Sequence, residues 1–136
     1  MSAETFSTDW FKQAQAAVNA DPGFRKRGSV DVKMGVKVGT RCVLVTFAGF
    51  SCHAVAELSP NDTRDADFVV EMSADQWQRF LDGRRSLQGR TLAQIDVTDN
   101  VVKALTPRRK LSFLRFHTSL QAFIDAGVQA STAVAA

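Results

Sequence analysis

Tyrosine is absent from this chain of 136 residues, which nonetheless carries ten Phe and two Trp. An aromatic set without a phenol lacks the polar handle that suits tyrosine to interfaces and active sites, and it fits an apolar interior. Histidine is nearly absent too, with only His53 and His117. A hydrolase triad needs a nucleophile, a base and an orienting acid in one place, and no Gly-x-Ser-x-Gly elbow accompanies these histidines. Neither Gly-x-x-x-x-Gly-Lys-Ser/Thr nor Gly-x-Gly-x-x-Gly occurs, which removes the usual nucleotide cradles. No His/Cys/Asp/Glu cluster has metal-ligand spacing, so no metal and no cofactor is expected.

Cysteine is scarce as well. Cys42 and Cys52 read as two buried, reduced thiols, and a bridge between them across a hairpin is the alternative. The opening Met1-Ser2-Ala3-Glu4 has neither the basic nor the apolar region of a secretory leader. No run of about 18 apolar residues is available to span a bilayer. The expected setting is therefore the cytoplasm. Strong charge of one sign is also missing: the formal net charge is +3, too mild to argue for a nucleic-acid partner.

The composition that remains, 45% hydrophobic and 23% charged, is that of a globular domain. A single domain is expected over 1–128, with the small residues of 129–136 as a disordered tail. Its charge is uneven. From Arg84 to Arg115 eight basic residues face only Asp96 and Asp99, while the rest of the chain is net negative.

The periodicity gives an order of elements. Asp9 to Ala20 has helical spacing in Trp10, Ala14, Ala17 and Val18, with Ser7 or Thr8 to cap it and Asp21-Pro22-Gly23 to stop it. From Val30 to Val38 the period becomes two, as in a strand with one wet face. Gly39-Thr40 turns the chain into Arg41 to Phe47, apolar on both faces and so an internal strand. A second turn leads to Cys52 to Leu58, where Cys52, Ala54, Ala56 and Leu58 alternate with His53, Val55 and Glu57. These three strands form an antiparallel meander. The Ser59 to Asp65 loop and a fourth strand, Asp67 to Met72, follow.

Helices then dominate. Ser73 and Gln76 have capping-box spacing, Trp77, Phe80 and Leu81 make a buried stripe, and Gly83 is expected to close the helix. Leu87 to Gly89 reads as a loop and Thr91 to Ile95 as one helical turn. Val101 to Leu105 fits either a short helix capped by Asp99 or a strand. Thr106 and Pro107 open the last helix, and Gly127 is expected to end it. The fold class is α+β: an antiparallel-rich sheet with helices on one face.

Two features of the last helix bear on function. Its apolar residues cover more than the stripe of about 100° that one buried face needs. Other helices, a dimer partner or a ligand must cover the surplus. The run Arg108-Arg109-Lys110 occupies the first turn, where the helix dipole disfavours cations. It reads either as a solvated charge run or as a contact for lipid headgroups, an anionic membrane or a phosphate. His117 lies beside the apolar face and is either a hydrogen-bonded boundary residue or a polar group in a ligand cavity.

The order of elements, with Val32 to Leu58 as a meander after an initial helix and with Asp-Phe-Val-Val-Glu-Met-Ser-Ala-Asp-Gln-Trp-Gln-Arg-Phe-Leu-Asp-Gly from Asp67 to Gly83, resembles the sterol carrier protein 2-like lipid-transfer domain family. The resemblance implies a five-stranded sheet covered on one side by helices that enclose an apolar tunnel for sterols, fatty acids or acyl chains. After Gly83 the family continues with a basic strand, and Arg84 to Thr106 departs from that pattern.

The expected function is binding or transfer of a hydrophobic small molecule. Its ligand would lie among Trp77, Phe80, Leu81, Leu105, Phe113, Phe116, His117 and Phe123. Arg84, Arg85, Arg108, Arg109 and Lys110 would meet an anionic head group. The alternatives are an enzyme using His117 as acid/base on a hydrophobic substrate in the same cavity, and a dimerising interaction module. An anionic membrane surface and a second copy of the chain are the further partners considered.

Overall fold

The computed structural model describes residues 6–59, 63–86 and 89–135, with side chains to residue 130. Residues 60–62 of the expected loop and Leu87 and Gln88 of the next one lie outside the described residues. Ser7 caps helix α1 (Thr8–Ala20) by accepting a hydrogen bond from the Trp10 N–H, and Asp21 caps a short helix α2 (Pro22–Lys26) in the same way through the Gly23 N–H. Strands β1 (Val32–Val38), β2 (Arg41–Ala48) and β3 (Ser51–Leu58) follow as the expected meander.

The chain then leaves β3 at one edge and returns as β4 (Phe68–Met72) on the far side of β1. The sheet order is β3-β2-β1-β4-β5, and β4 runs parallel to β1 while every other pair is antiparallel. The alternation in β1 sends Val32, Met34, Val36 and Val38 to one buried face. The registers set Val43, Val45 and Phe47 of β2 and Phe68, Val70 and Met72 of β4 beside them. Helices α1, α3 (Ala74–Arg85) and α5 (Pro107–Ala135) form the layer on this face: α5 lays Phe123 on Phe47 and Phe113 on Phe68, and Phe11 of α1 joins Phe123 to Trp77 of α3. The α+β class and the antiparallel-rich sheet are thus as expected.

Several local expectations need correction. Phe47 pairs with Cys52 while Thr46 pairs with Ala54, so His53 is an extra residue in β3. This bulge breaks the supposed alternation. Cys52 turns into the core opposite Phe47, whereas Ala54, Ala56 and Leu58 lie on the other face. The Asn19 side chain accepts from the Cys52 N–H and donates to the Cys52 carbonyl, which ties α1 to the bulge.

Gly83 does not close α3, which continues to Arg85. It lies where the returning chain crosses: a Cβ on Gly89 would stand 2.6 Å from the Gly83 Cα, and the Gly89 N–H donates to the Gly83 carbonyl. Gly127 does not end the last helix either, since α5 runs to Ala135. A Cβ there would stand 2.7 Å from Trp10 Cη2 and 2.8 Å from Ala14 Cβ, so this glycine lets α1 and α5 approach closely.

The stretch that departs from the family pattern holds a helix and a strand. Thr91 and Gln94 form a second capping box at the start of α4 (Leu92–Asp99), a longer helix than the single expected turn. Strand β5 (Val102–Lys103) then closes the sheet beside β4. Its exposed side is sealed by side chains: the Val102 N–H donates to Asp96 Oδ1, the Val102 carbonyl accepts from Lys110 Nζ, and Lys110 pairs with Asp96 at 2.7 Å.

Candidate functional site

The site starts from the α3 cap. Ser73 and Gln76 exchange hydrogen bonds at 3.1 and 2.9 Å, which fixes where α3 begins. Trp77, Phe80 and Leu81 then fall on one helical face and are buried. Trp77 meets Phe6, Trp10, Phe11 and Phe80, with ring centroids 5.7 to 6.0 Å apart. Phe123 stacks on Phe11 and stands edge-on to Phe47. Four expected ligand residues, Trp77, Phe80, Leu81 and Phe123, therefore share one aromatic cluster with α1.

Phe113 is buried farther along α5 against Phe68, with His117 tilted over its ring. Phe116 is half-buried under the Arg115 guanidinium. Leu105 is not brought to the cluster. It lies exposed beyond β5 on the rim of a cleft of about 190 Å³ at the β4–β5 edge of the sheet. His117 stands 6.1 Å from Phe113 between ring centroids.

At the buried Phe80 the cluster borders a cleft. This cleft of about 310 Å³ between α3 and α4 is lined by Met72, Phe80 and Ile95, with Gln76, Arg79, Arg90 and Asp99 as its polar lining. Phe80 is thus at once part of the cleft lining and a ring neighbour of Trp77, 5.9 Å away. Among the described residues Arg79 pairs with Asp75, and both side chains are well exposed, so this pair is worth little and the guanidinium can turn to another anion. Arg90 leans on Thr98 Oγ1 at 2.6 Å and on Asp99 at 3.5 Å.

The basic residues expected at a head group have several uses. Arg84 is committed within the fold: its guanidinium grips both Asp125 carboxylate oxygens at 2.9 Å and donates to the Gly89 carbonyl. The hydrogen bond to Asp125 raises its already high pKa, against an opposing effect of burial. Gln121 extends the chain of bonds from Asp125 to the Leu92 N–H and so joins α3, α4 and α5. Lys110 seals β5, Arg85 pairs with Asp82, and Arg109 donates to the Arg64 and Ala66 carbonyls of the crossover. Arg108 is exposed. The cleft arginines are Arg90, which belongs to the basic stretch from Arg84 to Arg115, and Arg79, which the sequence does not single out. Gln76 was the available signal, because the residue one turn after a cap box on α3 must stand beside it, and Arg79 follows it by three.

Neither thiol offers a nucleophile. Burial pushes Cys52 up to about 12, and burial also raises Cys42 against the lowering influence of Lys37. Both are free and buried, as the sequence led one to expect.

No family model matches the chain, and no curated protein matches its sequence. Among solved structures, a crystal structure of sterol carrier protein 2 matches with a TM-score of 0.64 over 89% of this chain and 95% of that chain, at 14% sequence identity. Identity at that level carries the fold alone. The chain has the sterol carrier protein 2-like fold.

Proposed function

We propose that this sterol carrier protein 2-like fold binds, and passes between partners, a hydrophobic small molecule with an anionic head. One observation carries the reading: the α3–α4 cleft leads from two arginines, over Met72 and Ile95, to Phe80 and hence to the aromatic cluster. A fatty acid or acyl chain fits this polarity. Its head would meet Arg79 and Arg90, and its chain would enter by rotation of Phe80. Each methylene taken from water contributes about 0.8 kcal/mol, so a few methylenes suffice to offset the turning of one ring. The interior offers no tyrosine hydroxyl to orient a ligand, which favours selection by shape and chain length. Two reduced thiols favour a reducing, cytoplasmic setting.

The test is native mass spectrometry of the purified protein, followed by titration with a fatty acid, an acyl-coenzyme A and a sterol. Binding of the fatty acid is expected to weaken about tenfold in Arg90→Glu, by loss of a charge-assisted contact, and sterol binding is expected to be unchanged. A protein that binds none of the three overturns the reading.

A further inference from the structure

Among the described residues five large apolar side chains are exposed, and three of them fall within ten residues: Leu105, Leu111 and Leu114, at 71, 61 and 53%. Leu111 and Leu114 are one turn apart on α5, on the side facing away from the buried Phe113. Leu105 stands just before the helix cap Thr106. No Asp or Glu occurs in the chain between Asp99 and Asp125, although five basic residues do. Of these, Lys103, Arg108 and Arg115 are exposed. Arg108 is three residues before Leu111 and Arg115 four after it, so both flank the leucines on the helix surface.

Nearby acids are occupied within the fold. Asp96 holds Lys110, Glu71 pairs with Lys37, and Asp67 accepts from the Lys33 N–H. Among the described residues Asp65 on the crossover is the exposed exception. The patch is therefore apolar at its centre and cationic around it.

We propose that the first three turns of α5, with Leu105, form the surface by which this protein docks on an anionic lipid bilayer. The leucines enter the boundary between head groups and acyl chains while the arginines and Lys103 remain at head-group level. The charge selects the partner, because a second copy of the same face would set Arg108 and Arg115 against like charges. Helix α5 lies flat on the bilayer and does not cross it, since no described helix is long and apolar enough to span a membrane. This docking is independent of the ligand reading, for none of these residues lines the α3–α4 cleft.

The experiment is flotation of the full chain with phosphatidylcholine vesicles, with and without phosphatidylglycerol. Association is expected only with phosphatidylglycerol, and it should fall as salt is raised. Each cation near an anionic surface is worth about fivefold in affinity, so Arg108→Ser with Arg115→Ser should cost about 25-fold. Leu111→Ser with Leu114→Ser should cost at least about tenfold. All these side chains are exposed, and circular dichroism of each variant should match the parent. Unchanged flotation of the leucine variant, or no flotation of the parent, overturns the proposal. It is also overturned if light scattering finds a dimer that the leucine substitutions convert to monomer.

Discussion

Helix α5 contains two halves with four large apolar residues each and unlike fate. Residues 107–118 carry Leu111, Phe113, Leu114 and Phe116, and residues 119–130 carry Leu120, Phe123, Ile124 and Val128. In the second half all four are buried, while in the first half only Phe113 is fully buried and both leucines face solvent. The difference lies in what each half meets. The second runs against α1, with Phe123 on Phe11 and Trp10 fitted over Gly127, and against Phe47 of the sheet. The first meets the thin edge of the sheet through Phe113 on Phe68 and through Lys110 on β5. Apolar density along a helix thus measures how much surface wants covering. The neighbouring elements decide whether the protein itself covers it.

The strongest test of this contrast is truncation in each half. Phe123→Ala removes a ring held between Phe11 and Phe47 and is expected to cost about 3–5 kcal/mol in urea unfolding. Leu111→Ala at an exposed site should stay within about 0.5 kcal/mol. Equal losses would mean that the first half is buried in a partner, and the distinction between the halves would fail.

Much of the second half's environment could be read in advance, and its reasons are local. The Val30 to Val38 alternation gave β1, the Ser73/Gln76 spacing gave the start of α3, and Thr106-Pro107 gave the start of α5. These depend on periods and caps within a few residues. Thr91/Gln94 carries the same local signature and marks α4, which runs past the single turn that Leu92 and Ile95 predict. What escaped depends on distant partners. Gly83 and Gly127 look like helix stops, and only the approach of Gly89 and Trp10 shows that they are contact points. The parallel β1–β4 pair follows from how the chain returns after the crossover, and the His53 bulge from how β3 registers on β2. Phe11 shares a helical face with Ala14 and Val18 at i, i+3, i+7 spacing, so its burial is local, but its bridging of Trp77 to Phe123 depends on distant partners. Arg84 resembled a surface cation because its partner, Asp125, is 41 residues away.

That ion pair gives the next largest expected effect, and it sharpens what anchors the second half. Arg84 is 9% exposed in its side chain and Asp125 is 24%, so solvent screens the pair mainly from the Asp125 side. Asp125→Ala leaves the Arg84 charge and the Gln121 amide short of an acceptor and should cost about 2 kcal/mol, below the value for a fully buried pair. Replacing both partners with apolar residues, Arg84→Met with Asp125→Leu, removes the unpaired charge and should recover most of the loss. If the double variant is as unstable as the single one, the bonds to Gly89 and Gln121 matter more than the pair itself.

The smallest expected effect has opposite signs in the two halves. Thr118→Ala, on the exposed side of the first half, exchanges a β-branched residue for the best helix former and should stabilise by a few tenths of a kcal/mol, about 0.5. Gly127→Ala makes a similar exchange worth about 1 kcal/mol in helix propensity. There, however, the new methyl group meets Trp10 Cη2 at 2.7 Å and Ala14 Cβ at 2.8 Å, and overpacking of this kind costs about 1–3 kcal/mol. The clash is with a ring edge and a methyl group of the neighbouring helix, so relief requires α1 to shift as a body. The net expectation for Gly127→Ala is a loss of about 1 kcal/mol, read as a lower urea midpoint beside a slightly raised one for Thr118→Ala. A gain at both sites would show that α1 yields to α5 easily, and the second half would then be no more tightly held than the first.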